Sequence, residues 1–64
     1  MLHQQRVVEE RDQLAERIEK LAAFTEGPLF QTLCEAEQRR LLSQAVAMDE
    51  YVAILNERIE AFGH

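Results

Sequence analysis

The sequence predicts an all-α protein: an antiparallel helical hairpin with a short helical turn in the connection, dimerising into a four-helix bundle. Three observations support this prediction. Apolar residues recur at helical spacing in two segments, Gly27 and Pro28 separate those segments, and the second segment carries more apolar surface than one neighbouring helix covers. The 64 residues are therefore expected to form a single domain (1–64), with helix 1 at about 3–24, the connection at 25–32 and helix 2 at about 33–62.

The first segment carries one apolar stripe. Val7, Leu14 and Leu21 recur every seven residues, and Ile18 fills the interleaved position. This period is typical of a helix rather than a strand. Arg11 interrupts the stripe, and its charge must either reach water at the open end of the bundle or pair with an acid across an interface.

The connection combines a helix stop with a short apolar segment. Gly27 can adopt the left-handed conformation that ends many helices, and Pro28 suits the first turn of a new helical segment. Leu29, Phe30 and Leu33 have helix-like spacing, which predicts a single turn that plugs the end of the hairpin. The alternative is that Leu29 and Phe30 form an exposed recognition tip.

The second helix has a start signal and a long seam. Thr32 precedes Glu35 by three residues, which is the capping-box pattern. Apolar residues then alternate steps of four and three, which predicts a continuous packing seam. The seam residues are Leu41, Ala45, Met48, Val52, Leu55, Ile59 and Phe62. At about 1.5 Å per residue, helix 2 would span about 45 Å and overhang helix 1, at about 33 Å.

A second stripe runs beside the seam of helix 2. At about 100° per residue, four apolar residues fall outside the arc that one neighbouring helix covers, and Arg40 and Arg58 lie along the same stripe. A second copy of the hairpin would cover it, which predicts a homodimer. The alternative is that Tyr51 and Ile54 are half-exposed single residues. The predicted dimer interface consists of Ala47, Tyr51, Ile54, Arg58 and Ala61.

The charge of the chain restricts its partners. The formal net charge is −5, with twelve acidic and seven basic residues. Such a surface repels phosphate backbones and anionic lipid, so direct binding to nucleic acid or a membrane is not expected. It suits a basic protein surface instead, although acidic charge can also serve solubility alone. The candidate partner-binding acids are Glu9, Asp12, Glu16 and Glu19 on helix 1 and Asp49, Glu50, Glu57 and Glu60 on helix 2.

The sequence predicts a cytoplasmic location. No apolar run reaches the roughly 20 residues of a membrane span. The N-terminal segment lacks the basic and apolar regions of a signal peptide, and one cysteine, Cys34, fits a reducing compartment.

No motif for catalysis, a cofactor or a metal is found. The sequence has no phosphate-binding loop, HExxH, paired CxxC or EF-hand. Cys34 has no histidine near it in sequence, so it is interpreted as a structural or incidental cysteine rather than a nucleophile. We therefore expect neither an enzyme nor a cofactor site.

Three motifs carry a resemblance. They are HQQRVV at His3 to Val8, the L-x-x-F of Leu21 to Phe24, and M-x-x-Y-x-x-I-L-x-x-R-I-x-x-F at residues 48–62. With them the chain resembles a family of short phage and prophage helical proteins related to small proteins of crAss-like phages. Cys34 departs from that family, in which many members have proline. The likeness covers nearly the whole chain.

The resemblance extends to the phage-encoded quorum-sensing anti-activator of Pseudomonas phages. It implies a non-enzymatic dimer that binds the host quorum-sensing transcription activator and blocks its DNA binding. It also implies a possible second target, the ATPase of type IV pilus assembly. The alternative function is a structural or assembly adaptor, in which the dimeric bundle joins components of the phage or the host.

Overall fold

A computed structural model describes residues 2–63, which form an antiparallel helical hairpin. Helix α1 runs over Leu2–Glu26, a short 3-10 helix over Phe30–Thr32, and helix α2 over Glu35–Ala61. No strand occurs within residues 2–63. The all-helical hairpin predicted from the apolar periods is therefore confirmed.

The hairpin is long and thin. Its principal extents are 46 × 14 × 14 Å, and its radius of gyration is 14.7 Å. A compact domain of this length would have a radius of gyration of roughly 11 Å. Two helices lying side by side give each residue few neighbours outside the contact between them, so only a narrow core can form.

The core follows the predicted seam. Val7, Leu14 and Leu55 form the buried cluster, with Leu55 fully buried. Partly buried side chains pack against this cluster, and they are Ile18, Met48, Val52, Ile59 and Phe62. The heptad spacing therefore identified the packing contact between the helices correctly.

The connection closes one end of the hairpin. Phe30 is only 6% exposed, and its ring packs edge-on against Phe24 with centroids 6.4 Å apart. The predicted helical turn is present, and the buried Phe30 closes the end of the hairpin. Leu29 is 66% exposed, so of the two proposed tip residues it is the one available to a partner.

Two local predictions about the connection are wrong. Gly27 does not take a positive φ; its N–H instead donates to the carbonyl of Phe24 in a tighter turn. The capping box is also absent, because Thr32 donates its hydroxyl back to the carbonyl of Leu29 at 2.6 Å. Helix α2 begins two residues later, with Cys34 at the N-cap and no side-chain cap.

The predicted overhang of the second helix is likewise wrong. Helix α1 continues to Glu26, so the helices contain 25 and 27 residues. After Glu26 the N–H of Gly27 donates to the carbonyl of Phe24 and closes the turn that ends the helix. Because the two helices are nearly equal in length, an overhang cannot be used as an argument for a second subunit.

At the open end, a hydrogen bond and a ring contact join the two helices. Arg11 donates from Nη1 to Oδ1 of Asn56 at 2.7 Å and from Nε to the carboxylate of Asp12 at 2.8 Å. The ring of His3 lies against Phe62, with centroids 6.4 Å apart. Arg11 thus remains on the seam by combining partial exposure, at 31% of its side chain, with a partner on the opposite helix.

Candidate binding surfaces

The two helices present two different sides to solvent. An antiparallel pair has an approximate two-fold axis perpendicular to the helices, so equivalent heptad rows of α1 and α2 meet on the same side. The rows that follow the seam positions, such as Ala15 and Asn56, meet on one side. The rows that precede them, such as Arg17 and Tyr51, meet on the other.

We call the first surface the acidic side. It carries six acids and one arginine, together with apolar and small residues. Its residues are Val8, Asp12, Ala15, Glu19, Ala22 and Glu26 on α1, and Glu35, Arg39, Leu42, Val46, Asp49, Ala53, Asn56 and Glu60 on α2.

We call the second surface the basic side. It carries five bases and two acids, an excess of positive charge in a chain whose net charge is −5. Its residues are His3, Arg6, Glu10, Gln13, Arg17, Lys20 and Phe24 on α1, and Glu37, Arg40, Gln44, Ala47, Tyr51, Ile54, Arg58 and Ala61 on α2.

Each side has an exposed apolar pair on α2. On the acidic side, Leu42 and Val46 are 50% and 58% exposed. On the basic side, Tyr51 and Ile54 are 41% and 53% exposed. The two pairs lie on opposite flanks of the seam, so a single flat partner cannot cover both.

All five predicted dimer-interface residues lie together on the basic side. Each is exposed in the single chain, as an unoccupied interface requires. Three of them, Ala47, Ile54 and Ala61, form one row at seven-residue spacing, and Tyr51 and Arg58 form the adjacent row.

The predicted partner-binding acids, in contrast, do not form one patch. Asp12, Glu19, Asp49 and Glu60 belong to the acidic side. The other four, Glu9, Glu16, Glu50 and Glu57, occupy the outer edges of the two helices, and all eight are exposed. Leu29 is exposed and Phe30 buried at the loop end.

Sequence reasoning missed Leu42 and Val46. Each directly follows a seam residue, Leu41 or Ala45, so in the sequence it is not distinguished from the apolar seam. A heptad assignment separates them, because they fall one position past the seam and face away from α1. A shallow depression of about 250 Å³ lies beside Leu42, lined also by Glu35, Gln38 and Arg39.

Most acids of the acidic side take part in no ion pair within residues 2–63. Within residues 2–63 the pairs are Arg11–Asp12, Lys20–Glu16 and Arg40–Glu37. Five acids of the acidic side therefore have no ion pair in this part of the chain, and they are Glu19, Glu26, Glu35, Asp49 and Glu60. On the basic side, Arg6, Arg17 and Arg58 are likewise outside these pairs.

Residues 2–63 also bear on two other kinds of site, a metal site and a membrane span. No cluster of three or more His, Cys, Asp or Glu side chains is arranged to hold a metal ion. Neither helix combines the length and the hydropathy needed to cross a membrane. Cys34, the one cysteine, is exposed beside the start of α2.

Comparisons with known proteins agree with a small phage protein. The sequence model of the Sequestin family matches residues 1–61. An uncharacterized 7.5 kDa protein in the denB-rIIB intergenic region of Enterobacteria phage T4 is 42% identical over 62 residues, which cover 97% of each chain. No solved structure matches. The expected relationship to short phage proteins is confirmed, whereas the link to a quorum-sensing anti-activator stays a prediction. This chain belongs to the Sequestin family.

Proposed function

We propose that the chain is a non-enzymatic phage protein that sequesters a target by stoichiometric binding in the host cytoplasm. The family name suggests that a partner is sequestered. The exposed apolar pairs on both sides of the hairpin are the observation that carries the proposal. Apolar side chains grouped on a small exposed surface are typical of binding sites.

The binding unit is a homodimer joined through the basic side. The single chain exposes 5020 Å², about 800 Å² more than a typical monomer of its mass. A standard interface covers roughly that area on each partner. Tyr51 and Ile54 supply its apolar centre, with Ala47 and Ala61 allowing close approach and Arg58 at the edge. The product is a four-helix bundle.

The dimer leaves the acidic sides and outer edges available to a target. We propose a host regulator with a basic DNA-binding domain, and the quorum-sensing transcription activator in particular. Acidic residues would occupy the surface that the regulator uses for DNA, and complementary charge would speed the encounter. The ATPase of type IV pilus assembly is the further target that the family resemblance implies.

The decisive measurement is release of operator DNA from the purified quorum-sensing activator. We expect wild-type protein to release the DNA stoichiometrically rather than catalytically. A double reversal of acids, Asp49→Lys with Glu60→Lys, should abolish release. The matched double reversal on the basic side, Arg6→Glu with Arg17→Glu, should leave binding to the activator in place. Full DNA occupancy at excess wild-type protein would exclude this target.

A second candidate is retention of an anionic ligand on the basic side. Arg17 on α1 and Arg58, seven residues after Tyr51 on α2, lie on the same side of the hairpin as the exposed ring of Tyr51. Arginine together with an aromatic ring suits a phosphate-bearing ring compound. Calorimetry with adenosine triphosphate as the probe tests this candidate. Binding that is lost in Arg17→Gln/Arg58→Gln and kept in Arg39→Gln would favour it over the transcription activator.

Native mass spectrometry of the chain recovered from infected cells separates the remaining possibilities. A complex with one regulator supports the first candidate, and a small added mass supports the second. Co-purification with virion components instead would favour the structural adaptor.

A further inference from the structure

The basic side of α2 has the spacing of a packing seam of its own. Its two adjacent rows alternate steps of three and four residues, and every row position from Arg40 to Ala61 is exposed in the single chain. When two antiparallel copies of such a helix pack together, they meet in layers, in which a residue of one row faces a residue of the other row. The height of the two-fold axis along α2 therefore decides which residues face each other.

The side chains of α2 favour one height of the axis. With the axis midway between Tyr51 and Ile54, these two residues face each other in both central layers, and Ala47 faces Arg58 in the next. One layer nearer the loop, Arg40 would face Arg58 of the second copy, and like charges would repel. One layer nearer the open end, Ile54 would face Arg58 instead of Tyr51. Of these three heights, only the first joins the two apolar residues and keeps the arginines apart.

The register of the hairpin carries this height over to α1. The 2.7 Å hydrogen bond between Arg11 and Asn56 shows which parts of the two helices lie side by side. Four residues nearer the loop on each helix, Ala15 lies beside Val52. An axis between Tyr51 and Ile54 on α2 therefore crosses α1 near Ala15.

The charges of α1 favour the same height independently. With the axis near Ala15, Glu10 faces Lys20 of the second copy in two symmetry-related layers, and Arg6 faces the 37% exposed ring of Phe24. One layer nearer the loop, Arg17 would face Lys20, and one layer nearer the open end, Arg6 would face Arg17. Both shifts that α2 disfavours thus also oppose like charges on α1.

We propose that a second copy packs on the basic side with α2 antiparallel to α2 and α1 antiparallel to α1. The two-fold axis passes near Ala15 and Val52, and Glu10 of each copy pairs with Lys20 of the other. This inference rests on the dimer of the proposed function and specifies its orientation. The two ion pairs offset part of the repulsion between the basic sides.

Lys20→Glu tests the pairing, because its expected effect is opposite to that of general charge. Removing a base from the basic side should tighten a dimer in which Lys20 faces no acid. In the proposed orientation the change sets Glu10 against a second acid, so the dissociation constant should rise about fivefold. Arg17→Glu is the matched control, since Arg17 faces the uncharged Gln13 and the dimer should not weaken. Adding Glu10→Lys to Lys20→Glu should restore the dimer in sedimentation equilibrium.

A disulfide tests the orientation directly. In a Cys34→Ser background, Glu10→Cys with Lys20→Cys should give a covalent dimer on mild oxidation, measured by non-reducing electrophoresis. The two positions lie about 15 Å apart along one α1, so they cannot bridge within a single copy. Arg6→Cys with Glu10→Cys is the control, because position 6 would lie about 21 Å along the axis from position 10 of the second copy. Equal bridging in both variants, or none in the first, would overturn the proposal.

The outcome is independent of the target assigned above. If Glu10→Cys with Lys20→Cys bridges two copies and operator DNA is not released by the wild-type chain, the orientation stands and the transcription activator is wrong. If the wild-type chain releases DNA and the cysteine pair does not bridge, sequestration stands and the orientation is wrong.

Discussion

The acidic and basic sides of the hairpin each carry an exposed apolar pair, but the charged residues around the two pairs have opposite sign. Leu42 and Val46 lie on the side that carries five carboxylates without an ion pair within residues 2–63, whereas Tyr51 and Ile54 lie on the side that carries four arginines and a lysine. The apolar pairs are similarly exposed, at 50% and 58% against 41% and 53%. If both sides bind partners, as we propose, apolar contact would give affinity to either side and charge would decide which partner each side accepts.

The largest effect is expected from a change in the packing between the two helices, on which both sides depend. Leu55 is fully buried between the helices, and Leu55→Ala should cost about 2–5 kcal/mol. For a hairpin with so few buried residues this is expected to unfold the chain at room temperature. Circular dichroism with urea titration measures it.

Ile54→Ala is the control for that prediction, because Ile54 neighbours Leu55 but is exposed. It should leave the helix content unchanged in dilute protein. Equal destabilisation by both changes would mean that Ile54 is also buried in solution, as it would be in a dimer that does not dissociate at the concentration used.

The next largest effect is a weakening of the dimer, and it is expected from changes on the basic side but not from changes on the acidic side. Tyr51→Ala with Ile54→Ala should weaken the dimer by about 2 kcal/mol, or roughly 30-fold in dissociation constant, because both residues occupy the proposed apolar centre. Sedimentation equilibrium measures the change. The matched pair Leu42→Ala with Val46→Ala should leave the dimer intact, and the opposite outcome would place the second copy on the acidic side.

The helix pattern was predictable from the sequence because burial on the seam follows directly from heptad spacing. Each seam position from Leu41 to Phe62 is buried or half-buried in the structure. The separation into two sides was missed because it depends on which rows of α1 and α2 meet, and the antiparallel register determines that. The Arg11–Asn56 hydrogen bond is an example, since its partners are 45 residues apart.

The local errors have a different origin. The capping box at Thr32 and the left-handed Gly27 were statistical preferences of short segments. In the structure, packing of Phe30 against Phe24 fixes the path of the connection. The chain then enters α2 through Cys34, and Thr32 satisfies its hydroxyl locally at Leu29.

Salt should act on the two sides with opposite sign. A dimer joined through the basic side brings an excess of like charge together, so raising sodium chloride from about 50 to 500 mM should tighten it a few-fold through screening. Binding of a target with a basic surface to the acidic side should weaken over the same range, because salt screens the attraction between opposite charges. Sedimentation and fluorescence anisotropy measure the two trends, and trends of the same sign would contradict the division by charge.

The smallest effect concerns the start of α2, which lies outside both apolar pairs. Cys34 occupies the N-cap with φ −66° and ψ 156°, the extended backbone that a capping residue needs, but it makes no side-chain cap hydrogen bond. Cys34→Ser places a good acceptor at that position and should stabilise the hairpin by about 0.5–1 kcal/mol. Cys34→Ala is the control and should give no gain in urea midpoint. Because neither change touches Tyr51 or Ile54, dimerisation should stay constant while stability rises. If the dimer tightens as stability rises instead, the dimer interface depends on the ordering of α2.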